Sequence, residues 1–187
     1  VSQSRSEGQT IVVDNLSGLQ DILFQYVIEE EFGGDPDDFY AYYRGPRIQT
    51  LRHWPPLEHK FRDLRNRGVN LILIGHQTTN EEPNSMGKKY YTKSLDMDKG
   101  IKGELLKWVQ NVFMFDLARE EDKQATGKMP GKAMVVKDES SRIAYTTIAP
   151  GHDAKNRMKM PPIIYLGESP KEAWDNLYNN FPDVWRK

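Results

Sequence analysis

No cysteine occurs among the 187 residues. That absence excludes disulfides, thiolate zinc sites and cysteine nucleophiles, and it fits a reducing, cytoplasmic setting. Long hydrophobic stretches are missing too: no apolar run approaches the roughly 20 residues that a membrane span requires. Nor is there an excess of charge of one sign. The 26 Lys and Arg against 27 Asp and Glu leave a net charge of -1, so no overall field draws the molecule to nucleic acid or to a membrane. The polar opening, Val-Ser-Gln-Ser-Arg-Ser-Glu-Gly, is no signal peptide. It begins on Val1 rather than Met, and residues upstream of it are expected.

What is present is enough for a core. Apolar residues make up 37% and charged residues 28%, the balance of one folded domain with a generous polar surface. That domain is expected to span 10–187, with 1–9 a disordered or truncated edge. Its first strong signal is Thr10-Ile-Val-Val-Asp14-Asn-Leu-Ser-Gly-Leu19. The unalternating β-branched run Ile11–Val13 predicts a strand buried on both faces of a parallel sheet. An acid at the C-terminal tip of such a strand sits where open α/β sheets bind ligands. The competing reading is that Asp14 only caps the helix that follows. Leu16, Leu19, Leu23, Tyr26 and Val27 give that helix its period, and Gly33-Gly34-Asp35-Pro36 ends it.

Phe39-Tyr-Ala-Tyr-Tyr43 is an aromatic cluster whose ordinary reading is packing, with base stacking as the alternative. A short helix is predicted over 47–54 and a second over 55–67, where Pro55 and Pro56 suit a first turn and Gly68 a cap. Val69 to Gln77 repeats the first pattern: Leu71–Ile74 reads as a buried parallel strand and ends in Gly75, His76 and Gln77. The right-handed crossover rule places both tips on one edge of the sheet. Residues 80–100 read as a long polar loop. Within it Lys88, Lys89, Tyr90, Tyr91 and Lys93 mix cations with aromatics, the combination used for single-stranded nucleic acid. Beyond it come a helix over 101–111, a strand at 112–115 ending in Asp116, a loop at 119–131, and a β-hairpin of 133–137 and 142–148. Ser169-Pro170 opens a C-terminal helix over Ala173, Leu177 and Phe181.

This order, with His152-Asp-Ala-Lys155-Asn-Arg157 after the last strands, resembles the distal part of a RecA-like P-loop ATPase. More narrowly, residues 10–162 are similar to the phage nucleotide-binding proteins grouped with the single-strand annealing recombinases. The resemblance implies an α/β fold, a mostly parallel RecA-like sheet flanked by helices with a C-terminal β-hairpin, incomplete at the N-terminus. It implies that Asp14 is the Walker B acid holding hydrated Mg2+, for which one carboxylate suffices beside water and phosphate oxygens. His76 or Gln77 would sense the γ-phosphate of ATP or the attacking water. Lys155 and Arg157 would reach a neighbouring subunit's nucleotide and stabilise charge on the transferring phosphoryl group.

One part of the family pattern is absent: nothing in the sequence fits Gly-x-x-x-x-Gly-Lys-[Ser/Thr]. Gly127-Lys-Met-Pro-Gly131-Lys132 fails because Pro130 removes an amide, and it follows the Walker B strand instead of preceding it. ATP and Mg2+ binding are therefore conditional on a P-loop from outside these residues. Three accounts compete: a C-terminal piece of a longer ATPase, a separate subunit pairing with a P-loop partner, or a chain that has lost nucleotide chemistry and keeps a binding role. As an isolated piece the chain would lack its central strand and expose unpaired sheet edges, which predicts self-association or poor solubility of this polypeptide alone.

The expected function is a nucleotide-binding subunit of phage DNA recombination or replication, acting with single-stranded DNA in the host cytoplasm, as a homo-oligomer or with a partner subunit. On its own the chain is expected to be inactive as an ATPase. The rival is a non-enzymatic DNA- or protein-interaction module. A metal-dependent nuclease ranks third, since only Asp14 and Asp116 sit at apparent strand ends and such sites need converging acids.

Overall fold

The computed structural model describes residues 9–83, 89–117, 142–149 and 151–183. These group into two compact units, one of residues up to 80 with 93–108, the other of 81–92 with residues from 109 onward. The class is mixed α/β, as expected.

In the first unit, strand β1 (Thr10–Asp14) leads into helix α1 (Leu16–Phe32). Gly33 ends α1 with φ +60°, the left-handed conformation that glycine adopts without steric cost. Asp35 accepts hydrogen bonds from the amides of Asp37 and Asp38 and so caps α2 (Pro36–Tyr40). A 3-10 turn (Ala41–Tyr43), α3 (Arg44–Ile48), a wide π-type turn (Gln49–His53) and α4 (Trp54–Asn66) complete the crossover to β2 (Asn70–Ile74). Strands β1 and β2 pair in parallel, Thr10 opposite Asn70 and Asp14 opposite Ile74, which brings both C-terminal tips to one edge. The pair is not buried on both faces as predicted. Val12 is 53% exposed and Ile72 48%, so their side of the pair is left uncovered among the described residues, and no described third strand extends the pair.

The core of this unit lies among the helices. Val27, Ile28, Phe32 and Phe39 cluster there, and Phe39 is fully buried. Its ring meets Phe24, Phe32 and Tyr40 edge-on at centroid distances of 5.1, 5.6 and 4.8 Å. Packing is thus the role of Phe39, while Tyr42 in the same cluster is 98% exposed. The stretch predicted as a polar loop is partly strand: β3 (Gln77–Pro83) and β4 (Lys89–Leu95) form a two-stranded sheet. Thr78, Thr79, Tyr90, Tyr91 and Thr92 supply the β-branched and aromatic content that pleated backbone favours. Their polarity hid the signal from a reading by apolar period. Helix α5 (Lys99–Trp108) follows, burying Ile101, Leu105 and Trp108.

The second unit is antiparallel where its pairing is described. Strand β5 (Asn111–Val112) pairs with β8 (Lys155–Asn156). Strand β6 (Met114–Leu117) pairs with β7 (Arg142–Tyr145), which pairs with β9 (Ile163–Gly167). The loop expected at 119–131 and the hairpin strand expected at 133–137 lie outside the described residues. Strand β9 was not anticipated, although Ile163-Ile-Tyr-Leu166 is a short apolar run. Asp116 lies within β6, opposite Ile143, instead of at a strand end. Helix α6 (Pro170–Asn179) starts as predicted: Ser169 and Glu172 exchange the two hydrogen bonds of a capping box. It packs on β9 over a core of Ala144, Met160, Ile164 and Leu166.

Candidate functional site

The two parallel tips define the candidate site in the first unit. Asn15, not Asp14, caps α1: its backbone is extended and its Oδ1 accepts the Gly18 amide at 2.7 Å. Asp14 is thereby released from the structural role that competed with a ligand role. Its carboxylate is exposed and makes no hydrogen bond or ion pair among the described residues. Across the edge, β2 ends at Ile74 and turns through Gly75 into His76. A Cβ on Gly75 would overlap a methyl of Leu95, so glycine lets the strand end lie against that side chain. The His76 imidazole meets Asn15, with Nδ2 of the amide 3.2 Å from Nε2 of the ring.

The edge is braced by the segment that follows β4. The Asp96 amide donates to the His76 carbonyl at 2.8 Å, and Ser17 Oγ donates to the Asp96 carbonyl at 2.8 Å. The Asp98 amide donates to Gln20 Oε1 at 2.6 Å, tying the same segment to α1. The Asp98 carboxylate accepts from the Tyr43 hydroxyl, from Thr50 Oγ1 and from the Gly100 amide. Burial, and then the adjacent Asp98 carboxylate, push the Tyr43 phenol up to about 12. Sequence reasoning names Asp14 as the possible cap although Asn15 takes that role with Gly18 only three residues away, and it assigns Asp98 no role because Tyr43 and Thr50 are distant in the chain.

The structure brings Asp14 and His76 to one edge, and Gln77 follows as the first residue of β3. Lys155 and Arg157 belong to the second unit. There Asn111 Oδ1 accepts the amides of Arg157 and Met158 at 3.0 and 3.3 Å. Asn156 donates from Nδ2 to Thr146 Oγ1 and to the Met160 carbonyl, and its Oδ1 accepts the Met160 amide. The segment carrying both cations is therefore pinned from two sides. Burial, and then repulsion from Arg157, lower the Lys155 pKa below the usual lysine value.

Of the residues named for nucleic acid, Lys88 lies outside the described residues. Along β4, Lys89, Tyr91 and Lys93 alternate onto one face, and Tyr90 turns to the other with Thr92. Tyr91 is 71% exposed, and Lys89 is ion-paired to Glu81 at 3.1 Å. A concavity of about 370 Å³ in the first unit, lined by Trp54, Glu58 and Arg62 among others, does not include Asp14 or His76. Its buried Glu58 is already satisfied by Trp54 Nε1 and by Arg62.

Among the described residues no three His, Asp or Glu side chains gather to hold a metal. A lone unpaired carboxylate is a donor set that suits Mg2+, which keeps most of its water and takes phosphate oxygens as further ligands. No described helix is long and apolar enough to cross a membrane. A family model described as AAA domain matches residues 3–158. No curated protein and no solved structure matches the chain.

Proposed function

Because the chain belongs to the AAA domain family, we propose that it is a nucleotide-binding, RecA-like ATPase subunit working on single-stranded DNA in phage recombination or replication, in the cytoplasm. The observation that carries this reading is the exposed carboxylate of Asp14 at the tip of a parallel strand pair, unpaired among the described residues, with His76 on the same edge. Asp14 would be the carboxylate that holds Mg2+, with water and phosphate oxygens as the remaining ligands. His76 or Gln77 faces the γ-phosphate, and Lys155 and Arg157 serve a neighbouring subunit's nucleotide. The parallel pair belongs to a larger RecA-like sheet in this proposal, and the P-loop comes from outside these 187 residues. When bound, Mg2+ would neutralise phosphate charge. These residues contribute its carboxylate ligand and polar contacts to the phosphate oxygens.

The test is Mg2+-dependent ATP binding by the chain together with its P-loop-bearing segment or partner, compared with Asp14→Ala. A loss of at least tenfold in MgATP affinity is expected. An oligonucleotide affinity that falls with salt but ignores both ATP and Asp14→Ala would instead establish the interaction module, with Lys89, Tyr91 and Lys93 as its surface.

A further inference from the structure

The orientation of the Asn15 amide decides the protonation pattern of His76. An asparagine amide presents an oxygen that only accepts and a nitrogen that only donates. Which end is which follows from the partners, and here one partner leaves no choice. The Gly18 amide is a donor, so the group 2.7 Å from it must be Oδ1. The Nδ2 group then points at His76 Nε2, 3.2 Å away, and must donate to it. A ring nitrogen that accepts has no proton. In neutral imidazole the proton must then sit on Nδ1.

We propose that Asn15 is a positioning residue that holds His76 as the Nδ1–H tautomer, offering that hydrogen to a phosphate oxygen at the strand-tip edge. The ligand half of this proposal rests on the nucleotide reading above; the tautomer half does not. The device is mechanically coherent. Asn15 is fixed twice, by its side-chain cap and by its carbonyl, which accepts the Leu19 amide at 3.1 Å. His76 is fixed at its carbonyl by the Asp96 amide. One helix cap thus sets the direction of a hydrogen bond on the neighbouring strand. It also separates His76 from Gln77: His76 has a tautomer locked by a second residue, as ligand-facing histidines often do, whereas Gln77 starts the next strand.

Asn15→Asp is the discriminating variant. Aspartate caps as well as asparagine, so α1 keeps its start, but the second oxygen now accepts where Nδ2 donated. Long-range proton–nitrogen NMR on the whole chain reads the two ring nitrogens of His76, with His76→Gln identifying its signals among the four histidines. The expected result, at a pH where the ring is neutral, is Nδ1 protonated and Nε2 bare in the parent chain, with Nε2 protonated in Asn15→Asp. A parent ring protonated at Nε2, or a variant with the parent pattern, overturns the positioning role. Adding MgATP to the chain together with its P-loop-bearing segment or partner, with binding followed in parallel by dialysis, tests the ligand. Binding that shifts the Nδ1 signal supports the phosphate contact, and binding that leaves it unmoved overturns that contact. If the P-loop-bearing protein binds no ATP, the nucleotide reading fails while the tautomer result stands.

Discussion

Gly45→Ala is expected to destabilise the first unit although alanine is the better helix former. Gly45 lies in α3 with its backbone against the Phe39 ring, and a Cβ there would fall well inside 3.0 Å of three ring carbons. Carbon atoms pack at about 3.5–4.0 Å, so the ring must move. It has nowhere to go, because it is fully buried and held on three sides by Phe24, Phe32 and Tyr40. Overpacking a tight core costs about 1–3 kcal/mol, and the crowding here argues for the upper end. Helix propensity returns roughly 1 kcal/mol. The net loss is about 2 kcal/mol, which for a urea slope of about 2 kcal/mol/M lowers the unfolding midpoint by about 1 M. Phe39→Leu removes the obstructing ring edge, so in a double-mutant cycle its cost should fall by about 1 kcal/mol or more in the Gly45→Ala background. If Gly45→Ala equals or exceeds the parent in stability, or if the two changes are additive, the steric argument is wrong.

Two further outcomes concern titration. Tyr43 is held neutral to about 12 in the folded chain, above the usual tyrosine value of 10.0. Its contribution is therefore full below pH 10 and lost as pH rises through 12. Asp98→Asn should lower that pKa only part of the way, because burial also raises it, and tyrosinate absorbance against pH measures it. Glu172 has the opposite sign: hydrogen bonds from the Glu168 and Ser169 amides lower its pKa below the usual glutamate value of 4.5. Its stabilisation is present above pH 4.5 and lost as pH falls through the lowered value. Glu172→Gln should therefore melt lower than the parent at neutral pH, and the gap should close in acid. A constant gap between the two melting curves would show that the carboxylate charge is not the cause.

Local chemistry made much of this chain legible in advance. The β-branched run before Asp14, the apolar run before His76, and Ser169-Pro170 with Glu172 three residues past the cap each encode an element within a few residues. Interactions of that range need no knowledge of the rest of the fold. The strand pair β3–β4 is hard to read from sequence because its β-branched and aromatic residues, Thr78, Thr79, Tyr90, Tyr91 and Thr92, sit among charged and polar ones without an apolar period. Strand β9 is a short apolar run of Ile163-Ile-Tyr-Leu166 with no polar alternation, too brief for period alone to mark as a strand.

The site lay further out of reach. Sequence placed Asp14 and His76 at strand tips, but it could not say which of Asp14 and Asn15 caps α1. It could not pair Asn15 with His76 across 61 residues, or Tyr43 with Asp98 across 55. Those contacts exist only because parallel pairing aligns the ends of β1 and β2 and the helices close around Phe39. Residue order determined which chemical groups the edge would carry. Tertiary structure decided which group caps, which is left free and which way a hydrogen bond points, since those depend on partners brought together only by folding.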